Sequence, residues 1–180
     1  MAIIKPNNNT ISAITALPAA IPTGKVLQVV QDTKLDRSEI SVTGAQYTDI
    51  SGLSVSITPS ATSSKILVLA FVNGSQNVGV AGAFFSLFRD STEIFRGDAS
   101  SSRQRATGNL VSNSNAYIYD HTPVFLDQPS STSALTYKVA VTSDANTNVY
   151  INRGSSNTDN QSYIAGVSSI TVMEISGWKM

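Results

Sequence analysis

Ile66-Leu67-Val68-Leu69-Ala70-Phe71-Val72 is an unbroken run of seven apolar residues. It is far too short to span a bilayer as a helix, and it has the length of a strand. A strand exposed on one face alternates apolar and polar residues, whereas this one is apolar on both, so both of its faces must be covered. In a small all-β domain without helices the natural cover for the second face is a neighbouring subunit. Cover by the chain's own loops or N-terminal segment is the alternative, because a short apolar run does not distinguish the two.

Outward from this run the pattern is short strands separated by polar turns. Val26 to Val30 comes first. Leu53-Ser54-Val55-Ser56-Ile57-Thr58 alternates strictly until Pro59 ends it, and Leu135 to Thr142 is the clearest amphipathic strand. Ala83 to Arg89 and Glu93 to Arg96 flank the link Asp90-Ser91-Thr92 and read as a hairpin. Tyr117 to Tyr119 and Val124 to Leu126 lie on either side of Pro123, which demands an edge or a bend. Val149 to Asn152 and Ser169 to Ile175 complete a set of eight to ten strands. With no helical periodicity and no internal repeat, the expectation is an all-β, jelly-roll-like β-sandwich over residues 25–180.

Residues 1–24 differ from the rest. Pro6, Pro18 and Pro22 forbid a continuous helix, and Ile3, Ile4, Ile11, Ile14 and Leu17 are isolated apolar residues that would be idle on a free tail. The segment reads as an extended anchoring arm that buries these side chains against a partner. A disordered leader is the alternative.

Composition narrows the function. Ser, Thr and Asn make up roughly a third of the chain and charged residues 13%, a β-rich usage poor in surface-helix formers. Twelve basic and twelve acidic residues cancel, and no basic stripe tracks a phosphate backbone, which argues against nucleic acid. Cysteine is absent, so disulfides and thiolate metal sites are excluded. The start lacks the basic flank and apolar run of a signal peptide, so the expectation is assembly in a cytoplasm without membrane insertion.

Chemistry-bearing patterns are weak. His121 is the single histidine, no Gly-x-Ser-x-Gly elbow singles out a serine, and the scattered carboxylates do not pair as in glycosidases. Asp144-Ala145-Asn146-Thr147-Asn148 matches half of a calcium loop. Val149 then stands where the glycine belongs and Ser155 where the bidentate glutamate belongs, so turn formation is the better reading. The expectation is no enzyme, no metal and no cofactor. Tyr117, Tyr119, Tyr163 and Trp178 could form a sugar platform, with core packing as the alternative. The long loops, 99–115 and 154–166, supply candidate receptor contacts in Arg103, Arg105, Asn113, Asn157 and Tyr163.

The succession Gly24-Lys25-Val26-Leu27-Gln28-Val29-Val30, Leu53 to Pro59, Ser63 to Val68, Phe88-Arg89-Asp90, Leu126-Asp127-Gln128-Pro129, Tyr137-Lys138-Val139, Tyr150-Ile151-Asn152-Arg153 and Ser168 to Ile175 resembles small tail-fibre or virion structural proteins of tailed phages, of the kind found in aquatic and cyanobacterial phages. The resemblance spans nearly the whole chain. It implies a jelly-roll-like sandwich comparable to the trimeric heads of complement C1q and tumour necrosis factor. With it the chain is expected to be a homotrimeric virion component held to other virion proteins by its arm and contacting the host surface, a glycan included. Ile66, Val68, Ala70 and Val72 are assigned to the trimer interface. Two alternatives stand beside this: a capsid decoration, cement or head-fibre protein, and a carbohydrate-binding module.

Overall fold

The computed structural model describes residues 24–77 and 82–176. The proposed anchoring residues Ile3, Ile4, Ile11, Ile14 and Leu17, and Trp178, lie outside the described residues. Twelve strands follow in chain order: β1 (Val26–Lys34), β2 (Ser38–Val42), β3 (Thr48–Ile57), β4 (Lys65–Gln76), β5 (Ala83–Arg89), β6 (Thr92–Glu93), β7 (Gly108–Asn109), β8 (Tyr119–His121), β9 (Val124–Asp127), β10 (Leu135–Ser143), β11 (Thr147–Ile151) and β12 (Ser168–Ile175). No helix occurs among the described residues.

The strands form two antiparallel sheets. One runs β1-β12-β4-β11-β2, with β8 and β9 laid along β4; the other runs β3-β10-β5-β6, with β7 beside β5. The inward faces meet in one core that includes Ile50, Leu53, Val55, Phe85, Leu87, Val139, Val149, Ile170 and Val172. The chain is therefore a jelly-roll-like β-sandwich, as its alternating strands imply.

Local chemistry accounts for the irregularities. In β3, Gly52 has φ +84, a left-handed conformation that costs glycine little, and the register with β10 shifts beside it. That bulge lets both Ile50 and Leu53 point inward despite being three residues apart. Pro123 provides a bend: β8 and β9 on either side of it both pair with β4, and the Pro123 carbonyl accepts the Ala70 N–H at 3.1 Å.

The decisive run takes a different orientation from the one assigned to it. Along β4, Ile66, Val68, Ala70 and Val72 are at most 2% exposed, and they point into the core of the single chain. They are thus not available as a trimer interface. The strand's outward face is instead Leu67, Leu69 and Phe71, which are half-buried. Both faces are apolar because one builds the core and the other fills the outside of the sheet.

Candidate functional site

Two surfaces stand out once the strands are in register. The first is the outward face of the seven-stranded sheet. Antiparallel pairing sets Val29 opposite Met173, Met173 opposite Leu67 and Leu67 opposite Leu126, so one apolar row crosses four strands. The next row is Gln31, Thr171, Leu69 and Val124, and a third holds Thr33, Ser169 and Phe71. None of these eleven residues is charged. Val29 is 54%, Val124 53% and Leu126 49% exposed, a contiguous patch of the kind that marks interaction surfaces.

The opposite outer face, on the five-stranded sheet, is built differently. Lys138 Nζ lies 2.6 Å from Asp49 Oδ2, and Ser56 and Thr136 share a hydroxyl hydrogen bond of 3.1 Å. On the seven-stranded sheet these eleven positions carry no charge, although Gln31, Thr33, Ser169 and Thr171 are polar, and the ion pair of Glu39 with Arg153 lies further along the same sheet.

The second surface is a polar cleft of about 490 Å³ between the β1–β2 turn and the 154–166 loop. Arg37, Arg153, Asn157, Asp159, Asn160 and Tyr163 line it, with Ile164 at 51% exposure beside them. Asn152 locks the two walls together. Its backbone is left-handed at φ 62, a conformation asparagine tolerates better than most residues. Its buried side chain donates to the carbonyls of Lys34 at 2.8 Å and Asp36 at 3.0 Å, and accepts from the Ser168 hydroxyl at 2.7 Å. The loop is pinned at several further points. Ser156 N–H donates to the Asn115 carbonyl at 3.0 Å, the Ser155 hydroxyl to Asn115 Oδ1 at 2.7 Å, and Gly166 N–H to the Asn152 carbonyl at 2.9 Å.

Within the cleft the two guanidinium groups differ. Arg153 lies 2.6 Å from Glu39 Oε2 and 4.6 Å over the Tyr150 ring. Arg37 donates to Asn157 Oδ1 at 3.3 Å and takes part in no ion pair among the described residues. Its fork is therefore open to a carboxylate.

The candidate receptor residues divide accordingly. Asn157 and Tyr163 meet in the cleft, whereas Arg103, Arg105 and Asn113 do not line it. Arg105 donates to the Gly97 carbonyl at 2.7 Å, its own carbonyl accepts from Tyr47 at 3.2 Å, and Asn113 accepts from the Tyr119 hydroxyl at 2.8 Å. Only the end of the 99–115 loop, at Asn115, touches the 154–166 loop in these bonds. Sequence reasoning missed Arg37 and Arg153. Arg37 immediately precedes β2, a strand too weakly patterned to be picked out, and Arg153 looks like the polar residue after an apolar run.

Other chemical candidates resolve structurally. The ring of His121 packs 5.2 Å from that of Phe85, and burial lowers its pKa against the opposing pull of Asp120, which favours neutral imidazole. Asp144-Ala145-Asn146 forms the link between β10 and β11, with Ala145 N–H on the Ser143 hydroxyl at 3.3 Å. No group of three potential metal-binding His, Cys, Asp or Glu residues occurs among the described residues. A buried clamp joins the two sheets: Arg89 Nη1 reaches both oxygens of Asp127 at 2.9 and 2.6 Å, and the Tyr137 hydroxyl donates to Asp127 Oδ2 at 2.7 Å. Burial, and then that bond to a carboxylate, raises the Tyr137 pKa far above its usual value. Asp127 and Tyr137 are buried while Arg89 is partly exposed, and the clamp ties the two sheets together.

Fold and surfaces together define a two-sheet β-sandwich with an uncharged, partly apolar patch on one sheet and a polar cleft among its loops. No family model and no curated protein sequence matches the chain. Among solved structures, one of the infectious bursal disease virus Gx strain is similar at 12% identity and a TM-score of 0.34, over 91% of this chain and 42% of that one. The VP2 subviral particle of infectious bursal disease virus is similar at 12% identity and a TM-score of 0.31, over 84% of this chain and 38% of that one. The chain thus spans less than half the length of these solved chains, and likeness this remote carries no functional meaning.

Proposed function

We propose that the chain is a non-enzymatic structural protein of a phage virion, a homotrimeric short appendage docked through residues 1–24 and contacting the host surface. The observation that carries the assembly is the uncharged apolar face around Val29, Met173, Leu67 and Leu126. An apolar patch of this kind marks an interaction surface, and a second and third copy would cover it without any other partner. The interface is therefore the outward row of β4, not the core row that includes Val68. The virion setting rests on the sequence resemblance to tailed-phage proteins.

Three arms engaging together turn modest affinity per arm into durable attachment through effective concentration. Light scattering on the purified chain tests the assembly: three times the 19.0 kDa chain mass is expected for the wild type, and the single-chain mass for Leu67→Asp. A monomeric wild type contradicts the proposal. Imaging the protein within intact particles then separates a tail position from a capsid one.

A further inference from the structure

The geometry points to a binding site for acidic saccharides in the cleft of Arg37, Asn157, Asp159 and Tyr163. This deepens the host-contacting reading, on which it rests for the source of the ligand, by naming both site and ligand class. Its position is the first argument. The N-terminal segment joins β1 at Lys25, which is tied to Ser176 by bonds of 2.9 and 2.8 Å. The cleft lies at the other end of the same strand, where Lys34 pairs with Ser168 and Asn152 holds the Lys34 carbonyl. Nine residues of extended chain separate the two ends, about 30 Å at the usual rise per residue. The cleft and the residue at which the described chain begins therefore lie at opposite ends of β1.

The chemistry of the walls is the second argument. A pyranose offers hydroxyls in fixed directions and a faintly apolar face of C–H groups. The carboxylate of Asp159 and the side-chain amide of Asn157 match the hydroxyls, while the half-buried Tyr163 ring and Ile164 match the face. Arg37, which lacks a carboxylate partner, adds a planar fork that fits the carboxylate of a uronic acid bidentately. A volume of about 490 Å³ lies in the range of small-molecule sites. The bonds from Asn152 and Asn115 hold the walls before a ligand arrives, so less ordering entropy opposes binding.

The test is calorimetric titration of the full chain with a galacturonate trisaccharide, a neutral galactose trisaccharide and inorganic sulfate. Galacturonate should bind at least about tenfold more tightly than the neutral sugar, and Arg37→Gln should remove that advantage. Tyr163→Ala should weaken both sugars. The idea is overturned if the galacturonate gives no heat, if the neutral sugar binds equally well, if sulfate matches the galacturonate, or if Arg37→Gln changes nothing. Every lining residue comes from one chain, so titrating Leu67→Asp separates the two readings. Binding by a Leu67→Asp monomer leaves the site intact whatever becomes of the trimer, and a wild-type trimer that binds no galacturonate refutes the site alone.

Discussion

Two buried carboxylates carry much of the sandwich's specificity. Asp127 accepts from Arg89 and Tyr137, so Asp127→Ala leaves a guanidinium and a phenol without their partner; a loss of about 3 kcal/mol in urea unfolding is expected. Glu174 is the second. Burial alone would push its pKa up, but the Ser60 hydroxyl and Gln28, at 2.6 Å each, and the Ser60 amide at 2.7 Å pull it down to about 2 from an ordinary 4.5. A carboxylate held below its unfolded value stabilises the fold above about pH 4.5, and that contribution fades as pH falls toward 2. Glu174→Gln should therefore cost about 1–2 kcal/mol at pH 7, and melting curves of variant and wild type should converge near pH 2. Neither carboxylate was legible as a centre of interaction. Arg89, Asp127 and Tyr137 all belong to segments that carry the phage resemblance, yet they sit in three strands, with Arg89 38 residues from Asp127, and spacing alone says nothing about which side chains meet across two sheets.

At the scale of single strands, alternation was enough to place the second half of β3 and the first half of β10, where buried residues alternate with exposed or half-buried ones. It failed where that contrast vanishes. Along β4 both faces are apolar, so pattern could establish that both are covered but not which one faces the core. The structure resolves this through burial of Ile66, Val68, Ala70 and Val72. Two substitutions on neighbouring positions should then behave oppositely. Val68→Asp places an unpaired charge in the core and should abolish folding at a cost of about 4 kcal/mol or more, seen as loss of the cooperative thermal transition. Leu67→Asp should keep that transition and lose only assembly. β2 escaped notice for a related reason: Ser38-Glu39-Ile40-Ser41-Val42 has just two apolar residues, and its existence depends on pairing with β11.

For the whole molecule, the pairing of β1 with β12 gives the sandwich a polarity: the N-terminal segment joins at one end of the seven-stranded sheet, and the cleft opens at the other. The apolar row of Val29, Met173, Leu67 and Leu126 lies on the side between these ends. On the proposed function, attachment, association and recognition use separate parts of the molecule and should fail separately. Deleting residues 2–22 removes no described strand and none of the outward row, so the truncated protein should fold, form trimers by light scattering and titrate with galacturonate as the full chain does. What it should lose is incorporation, measured as its amount in particles purified from cells that supply it in place of the full-length protein. Trimers that still enter the particle would move the anchor from the arm to the sandwich. Truncation that instead yields monomers would place the three-fold contact on the arms and not on the apolar row of Val29, Met173, Leu67 and Leu126, because that row is untouched by the deletion.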